Sequence, residues 1–341
     1  MTVLADINYV EPWWMQILKS LVIFLVVFNF IPVALMADRK VLGRFQQRYG
    51  PNRVGPFGML QPIADILKLV GKEDFRTWNS VAFLHRIAPI LSVIAAAAAV
   101  AVVPFGPVVD IFGTRTGLYG MDVSIGPLWI FALGALSFYS LMLGGWASGS
   151  KYSFLGSMRA AAQLISYEVA MGLSLIGVLM TAGTLSLVEI VEAQAGMWYV
   201  VPQFAAFLIF LVAELAETGR PPFDLAEADA ELVQGYMTEY GGSKFGAYYM
   251  AEYLHMIVAS LLAVTFFLGG WWLPFGIDPP AWVYPIVVLG KMLLFIYLFI
   301  WVRATLPRPR YDQLMSLGWK VLLPLATLNA LVTAIIVVVT D

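Results

Sequence analysis

Apolar runs of roughly 20 residues recur along the chain, separated by short polar connections and by two long ones. At 1.5 Å per residue, about 20 residues cross a ~30 Å hydrocarbon core. About eight segments reach this length: Ile17–Ala37, Phe83–Phe105, Ser124–Ala147, Ala160–Met180, Trp198–Glu217, Ala247–Gly269, Tyr284–Ala304 and Trp319–Val339. Lipid offers the backbone no hydrogen-bond partner, so each is expected to be a helix. The pattern predicts an all-α, polytopic membrane protein of about eight transmembrane helices, one integral domain over residues 1–341. The first span is not expected to be a cleaved leader. Asp6 and Glu11 precede it, no small-residue cleavage site follows, and Asp38-Arg39-Lys40 stands at its far end.

The long connections, Asp38–Ala82 and Thr218–Phe245, are too long for turns. In the first, Leu60, Ile63, Leu67 and Val70 fall at helical spacing, with Gln61, Asp65, Lys68 and Lys72 opposite. This predicts a short amphipathic helix, lying in the membrane interface, under a partner, or on its own chain. Positive charge gathers on one side: from Arg39 to Arg76, then at Lys151, Arg220, Lys244, Arg308 and Arg310, against Arg115 on the other. The positive-inside rule puts the long connections in the cytoplasm and both termini on the periplasmic side. Trp13-Trp14 and Trp271-Trp272 fall where an outer aromatic belt would lie.

Composition agrees: 60% of residues are hydrophobic, 12% are charged and mean hydropathy is +0.81. Soluble domains carry about 25% charged residues. The absence of cysteine excludes disulfides, thiolate zinc sites and Cys-ligated iron–sulfur clusters from this chain. Two histidines, His85 and His255, leave little for bis-histidine haem. No metal or bound cofactor is therefore expected, and any redox centre must sit in other subunits. A net charge of −2 without a basic tail speaks against nucleic-acid binding.

Ionisable groups inside the spans cost about 2.5–3.5 kcal/mol each on insertion scales and are candidate functional sites. Glu168 lies among Ile165, Val169, Met171 and Leu173, with neutralisation by Arg159 or by a neighbouring helix as the structural alternative. Glu214 and Glu217, at i and i+3, share a helical face, where two carboxyls favour holding a proton between them. Glu252 and His255 form a similar pair, and Lys291 either pairs with a carboxylate or snorkels.

The stretch Arg220–Leu232 is the most informative. Pro221 and Pro222 stop one helix, and Asp224 is expected to cap the next, with Glu227 completing a capping box. Glu231 falls at i+4 from Glu227, where like charges repel. A proton, an arginine or water must offset them. With Glu214 and Glu217, the stretch makes a run of carboxylates from the surface into the bundle, as a proton relay requires. Raising a Glu from ~4.3 to ~7 costs roughly 3.7 kcal/mol, comparable to its burial penalty.

Four ordered motifs carry a family resemblance. They are Gly219-Arg220-Pro221-Pro222-Phe223-Asp224-Leu225-Ala226-Glu227 with Glu231-Leu232-Val233, Gln47–Pro56 (QRYGPNRVGP), Gln163–Glu168 (QLISYE) and Leu306–Leu314 (LPRPRYDQL). Together they resemble the H-type subunit of bacterial NADH-quinone oxidoreductase, the counterpart of mitochondrial complex I subunit 1, over essentially the whole chain. Asp38 stands where many relatives carry glutamate. The resemblance implies a subunit of a proton-translocating enzyme of the bacterial inner membrane, not a complete catalyst alone. It implies the membrane-side part of a quinone chamber, with quinone as substrate and FMN and iron–sulfur clusters in partner subunits. Expected partners are the peripheral-arm subunits at the quinone and the last cluster, the small and antiporter-like membrane subunits, and lipid. It implies that Glu168, Glu214, Glu217, Asp224, Glu227 and Glu231 belong to the proton path. Arg39, Arg48 and Arg53, with Phe57 and Asp65, would belong to the quinone chamber and its entrance. Two other readings stay open from the residues: a stand-alone secondary ion transporter, although no inverted repeat is visible, and a related hydrogenase subunit.

Overall fold

The computed structural model describes residues 12–111, 114–274 and 280–340. Asp6 and Glu11, invoked above for the first span, lie outside the described residues. From the N-terminal side run α1 (Trp13–Phe45), α2 (Gln61–Gly71), α3 (Ala82–Val100), a hairpin of β1 (Pro104–Ile111) and β2 (Thr114–Tyr119), α4 (Gly126–Ala147) and α5 (Lys151–Ala182). There follow α6 (Leu187–Ala193), α7 (Phe204–Glu217), the single turn α8 (Asp229–Leu232), α9 (Gly242–Phe267), α10 (Tyr284–Thr305), α11 (Tyr311–Leu317) and α12 (Leu323–Thr340). A five-residue π segment, Gly318–Leu322, joins the last two into one rod.

Among the described residues, seven helices are long and apolar enough to cross a membrane: α1, α3, α4, α5, α9, α10 and the α11–α12 rod. The eighth expected span, Trp198–Glu217, is helical only from Phe204. Its 14 residues make a rod of about 21 Å. Pro202 lies in the turn before it, where a missing N–H costs nothing. Gln194 secures that turn: its Oε1 accepts from the Tyr199 and Gly269 amides, and its Nε2 donates to the Ile190 and Thr265 carbonyls. The second span also stops early, at Val100 rather than Phe105. Pro104 cannot donate to a helix and biases Val103 toward extended backbone. The chain instead forms a two-stranded antiparallel ribbon with Val108 opposite Gly117 and Asp110 opposite Arg115.

α9 is the hub. Its residues from Met256 to Phe267 are all buried, and α3, α10, α1 and α7 pack around it. The amphipathic helix forms as expected over Gln61–Gly71, entered through Pro62. Its apolar stripe is outward: Leu60, Ile63, Leu67 and Val70 are exposed.

The capping reading of Arg220–Leu232 needs correction. Asp224 lies in irregular backbone between two turns and caps no helix; the next helix starts only at Asp229. Ala228 and Val233, at φ of 43° and 68°, bracket α8 with left-handed backbone that a helix of L-residues does not propagate through. Glu227 is therefore not helical and shares no helix face with Glu231.

Candidate functional site

Where α3, α4, α5, α7 and α9 meet, a cavity of about 60 Å³ is lined by Glu217, Glu227, Glu252, His255, Ser137 and Tyr248, among others. That exceeds several times the space one water needs. Gly134, Glu217, Thr218 and His255 also line a second cavity of about 30 Å³, which reaches Glu214. Gly134 opens the gap between helices: a Cβ there would sit 3.3 Å from Glu217 Oε1 and 3.7 Å from Glu168 Oε1. Glu168, the Glu214–Glu217 pair and Glu227, read from three separate stretches of the chain, thus converge.

The Gln163–Glu168 motif builds this site from α5. Gln163 Nε2 donates to the Ala216 and Phe223 carbonyls at 2.7 and 2.8 Å, fixing the end of α7 against the proline turn. Ser166 accepts from Trp319 Nε1, and Tyr167 donates to the Leu314 carbonyl, which docks the last rod. Glu168, one residue on, then faces Glu217 across Gly134. Arg159, the structural alternative as neutraliser of Glu168, points elsewhere.

Arg159 instead holds Glu231 at 2.5 Å, with Arg308 at 3.9 Å. The hydrogen bond from Arg159 holds the Glu231 carboxyl below its ordinary value, aided by the charges of both arginines over slight burial. Glu231 is half-exposed and stands apart from the cavity. The offset that its charge required is an arginine.

Glu252 is not paired with His255. Its Oε1 lies 2.8 Å from Arg220 Nε in a buried ion pair, while His255 Nε2 lies 2.8 Å from Ser137 Oγ. Arg220 is buried and stacks 3.8 Å from the Tyr253 ring centre. Its guanidinium lies 3.7 Å from Asp38, which also takes Arg303 at 2.5 Å and the Tyr253 hydroxyl at 2.9 Å. Burial alone would weaken the Arg220 charge, but Glu252, Tyr253 and Asp38 outweigh it and hold the group protonated. This junction of α1, α9, α10 and the loop after α7 escapes a reading of the sequence alone. Asp38 lies more than 180 residues from every other member in the chain, and only the isolated charges of Asp38 and Arg303 at span ends hint at the junction. Asp224 and Glu227 face the Tyr236 phenol, which burial and then these charges raise.

Arg39 joins Asp65 at 2.5 Å, tying α1 to α2. Burial would raise Asp65, but bonds from Arg39 and Gln61, with the charges of Arg39 and Lys68, hold it low. Phe57 is exposed beside this tie, and its carbonyl accepts from Lys40 at 2.5 Å. It helps line a pocket of about 250 Å³ with Lys40, Arg44 and Tyr49. Arg48 and Arg53 are exposed and do not line that pocket. Among the described residues Lys291 meets no carboxylate: it donates to the Leu268, Gly270 and Trp272 carbonyls at 2.6–2.8 Å and lies over the Trp198 ring. Among the described residues no group of histidine, aspartate and glutamate is placed to hold a metal.

Fold and site together define a multi-pass helical membrane protein with carboxyls gathered in its interior. Residues 18–334 match the NADH dehydrogenase family. The chain is 50% identical over 318 residues to the first-numbered H-type subunit of NADH-quinone oxidoreductase in Geobacter metallireducens, covering 92% of this chain and 94% of that protein. It is 50% identical over 315 residues to the second-numbered one in Geobacter sulfurreducens, with the same coverage. It is 47% identical over 338 residues to the corresponding protein of Thermomicrobium roseum, covering 95% and 97%. The chain belongs to the family of H-type subunits of NADH-quinone oxidoreductase, and is a subunit of an oxidoreductase complex.

Proposed function

We propose that the chain forms the membrane-side part of a quinone chamber and couples quinone reduction to proton movement through its buried carboxyls. The observation that carries this reading is the sequence of groups from the Arg39–Asp65 tie between α1 and α2, through the Asp38–Arg220–Glu252 junction, into the cavities lined by Glu227, Glu217 and Glu214, with Glu168 beside them across Gly134. The exposed apolar stripe of α2 and Phe57 would guide an isoprenoid tail, and Arg39 would stand at the chamber mouth with Arg48 and Arg53 further out. Partner subunits would hold the FMN and iron–sulfur clusters and deliver the electrons. Both long connections would face that peripheral arm on the cytoplasmic side, with both termini in the periplasm.

Two-electron reduction of a quinone leaves two negative charges, which draw two protons. A unit charge appearing about 10 Å away, at an effective dielectric near 20, shifts a carboxyl by about 1.7 kcal/mol, more than one pKa unit. The buried junction of Asp38, Arg220 and Glu252 is positioned to feel such a change. Glu252 would pass it to the cavity carboxyls, which then load or release protons.

The reading is tested in membranes with the assembled complex carrying Glu217→Gln or Glu227→Gln. Quinone-coupled NADH oxidation should fall while NADH oxidation with a soluble acceptor persists. Full activity with full proton-to-electron stoichiometry in both variants would sink the coupling role.

A further inference from the structure

One buried titratable group near the cavity takes no part in the coupling scheme. His85, in the first turn of α3, is fully buried, and its Nε2 makes no hydrogen bond within the chain. Buried polar atoms are ordinarily satisfied. Lys244, in the first turn of α9, places Nζ 3.4 Å from His85 Nδ1 and 2.9 Å from Asp74. An ammonium only donates, so Nδ1 accepts and the neutral ring carries its proton at Nε2. Asp74 is half open to solvent and Lys244 largely covered, so the three groups step inward from the surface.

Behind His85 lies an aromatic seal. The imidazole stacks on the Tyr240 ring at 4.1 Å, nearly parallel. Tyr240 meets Tyr248 edge to face at 5.0 Å. Their hydroxyls donate to the Gly144 and Ser140 carbonyls, one turn apart on α4. A Cβ on Gly144 would lie 2.1 Å from the Tyr248 hydroxyl and 3.2 Å from that of Tyr240, so both occupy the space the glycine leaves. Tyr248 is itself a wall of the carboxyl cavity.

We propose that Asp74, Lys244 and His85 form a proton-uptake gate from solvent into the carboxyl cavity, with Tyr240 and Tyr248 as its inner seal. The proposal rests on the coupling reading and adds a second way in, through Tyr248 rather than Glu252. When Lys244 withdraws onto Asp74, His85 Nδ1 takes a proton from water. The imidazolium releases its Nε2 proton to a cavity carboxylate, which becomes a neutral carboxyl, and return of the ring to the Nε2–H tautomer restores Nδ1 as the acceptor for Lys244. One proton enters and one leaves, and no electron moves. The groups that set the charge of His85 are Lys244 on α9, Asp74 and Arg76 in the strap between α2 and α3, and the Glu239 backbone and Tyr240 before α9.

The test uses the intact complex in liposomes, reading NADH-driven proton pumping against pH with and without added imidazole. His85→Ala should lower pumping about tenfold at pH 8, less at pH 6, and imidazole should restore it as a mobile proton carrier. Lys244→Met should shift the same pH profile, and Lys244→Arg should return it. Where His85→Ala does not assemble, His85→Gln keeps an acceptor for Lys244 but carries no proton, and should reproduce the loss. Wild-type pumping at every pH, or a pH-independent loss that imidazole does not restore, overturns the gate. If Glu217→Gln pumps normally, the coupling reading itself fails. If Glu217→Gln fails to pump while His85→Ala pumps, only the gate is wrong.

Discussion

Asp38 and Arg220 illustrate how much one buried charge can decide. Arg220 serves two carboxylates at once; Arg220→Met would leave Asp38 to Arg303 and Tyr253 but strand Glu252 in the interior. Breaking a buried pair in this way costs about 3–5 kcal/mol, and thermal unfolding of the complex should show the subunit strongly destabilised. Glu231→Gln is the contrast. Its partners Arg159 and Arg308 are near the surface, and exposed pairs are worth about 0–1 kcal/mol, so stability should hardly change in the same measurement. By spacing alone, Glu231 and Glu214 are the least explicable carboxyls. Glu214 keeps that status, while Glu231 loses it to an arginine 72 residues away, which spacing cannot reveal. Gly134 is invisible in the sequence for the opposite reason, since its contribution is the side chain it lacks. Gly134→Ala should leave assembly intact, because the crowded atoms belong to the movable ends of Glu217 and Glu168, and should still depress quinone-coupled activity.

Among the elements, α2 is held to α1 by the Arg39–Asp65 pair, and the pH at which this tie loosens is set by its sign. Asp65 is lowered from an ordinary value of 3.8 in the folded chain, so its stabilisation is complete above that value and is lost as pH falls through the depressed one. Hydrogen exchange in α2 should therefore be constant from neutral pH down to about 4 once corrected for intrinsic rates, and rise only below. Exchange rising near pH 6 would assign the hold to another group. The amphipathic pattern of α2 was fully legible because period 3.6 survives in an interface helix. The break at Pro104 was legible in principle, but a run of alanines and valines ahead of it outweighed the proline. The capping box at Asp224 was misleading because local patterns compete with a backbone that turns left-handed at Ala228, and nothing in an alanine announces that.

For the whole molecule, apolar run lengths told the class, since lipid leaves a backbone few choices. They could not tell that α7 would be short, because Gln194 stabilises the turn before it from outside the span. Nor could they pair spans, and the cavity exists only through that pairing. The α11–α12 rod bears on how the protein can be handled. Within α12 itself only Ala326 and Thr333 are buried, and its polar hold on the bundle is Gln203 with Asn329 and Thr333, at 3.1 and 3.0 Å. Such contacts between membrane helices average about 0.6 kcal/mol. A short-chain detergent competes for apolar surface of this kind, so it should peel α12 away while the buried α9 hub stays folded. Limited proteolysis across a detergent series should then release the C-terminal segment first, and Asn329→Leu should move that release to milder detergents.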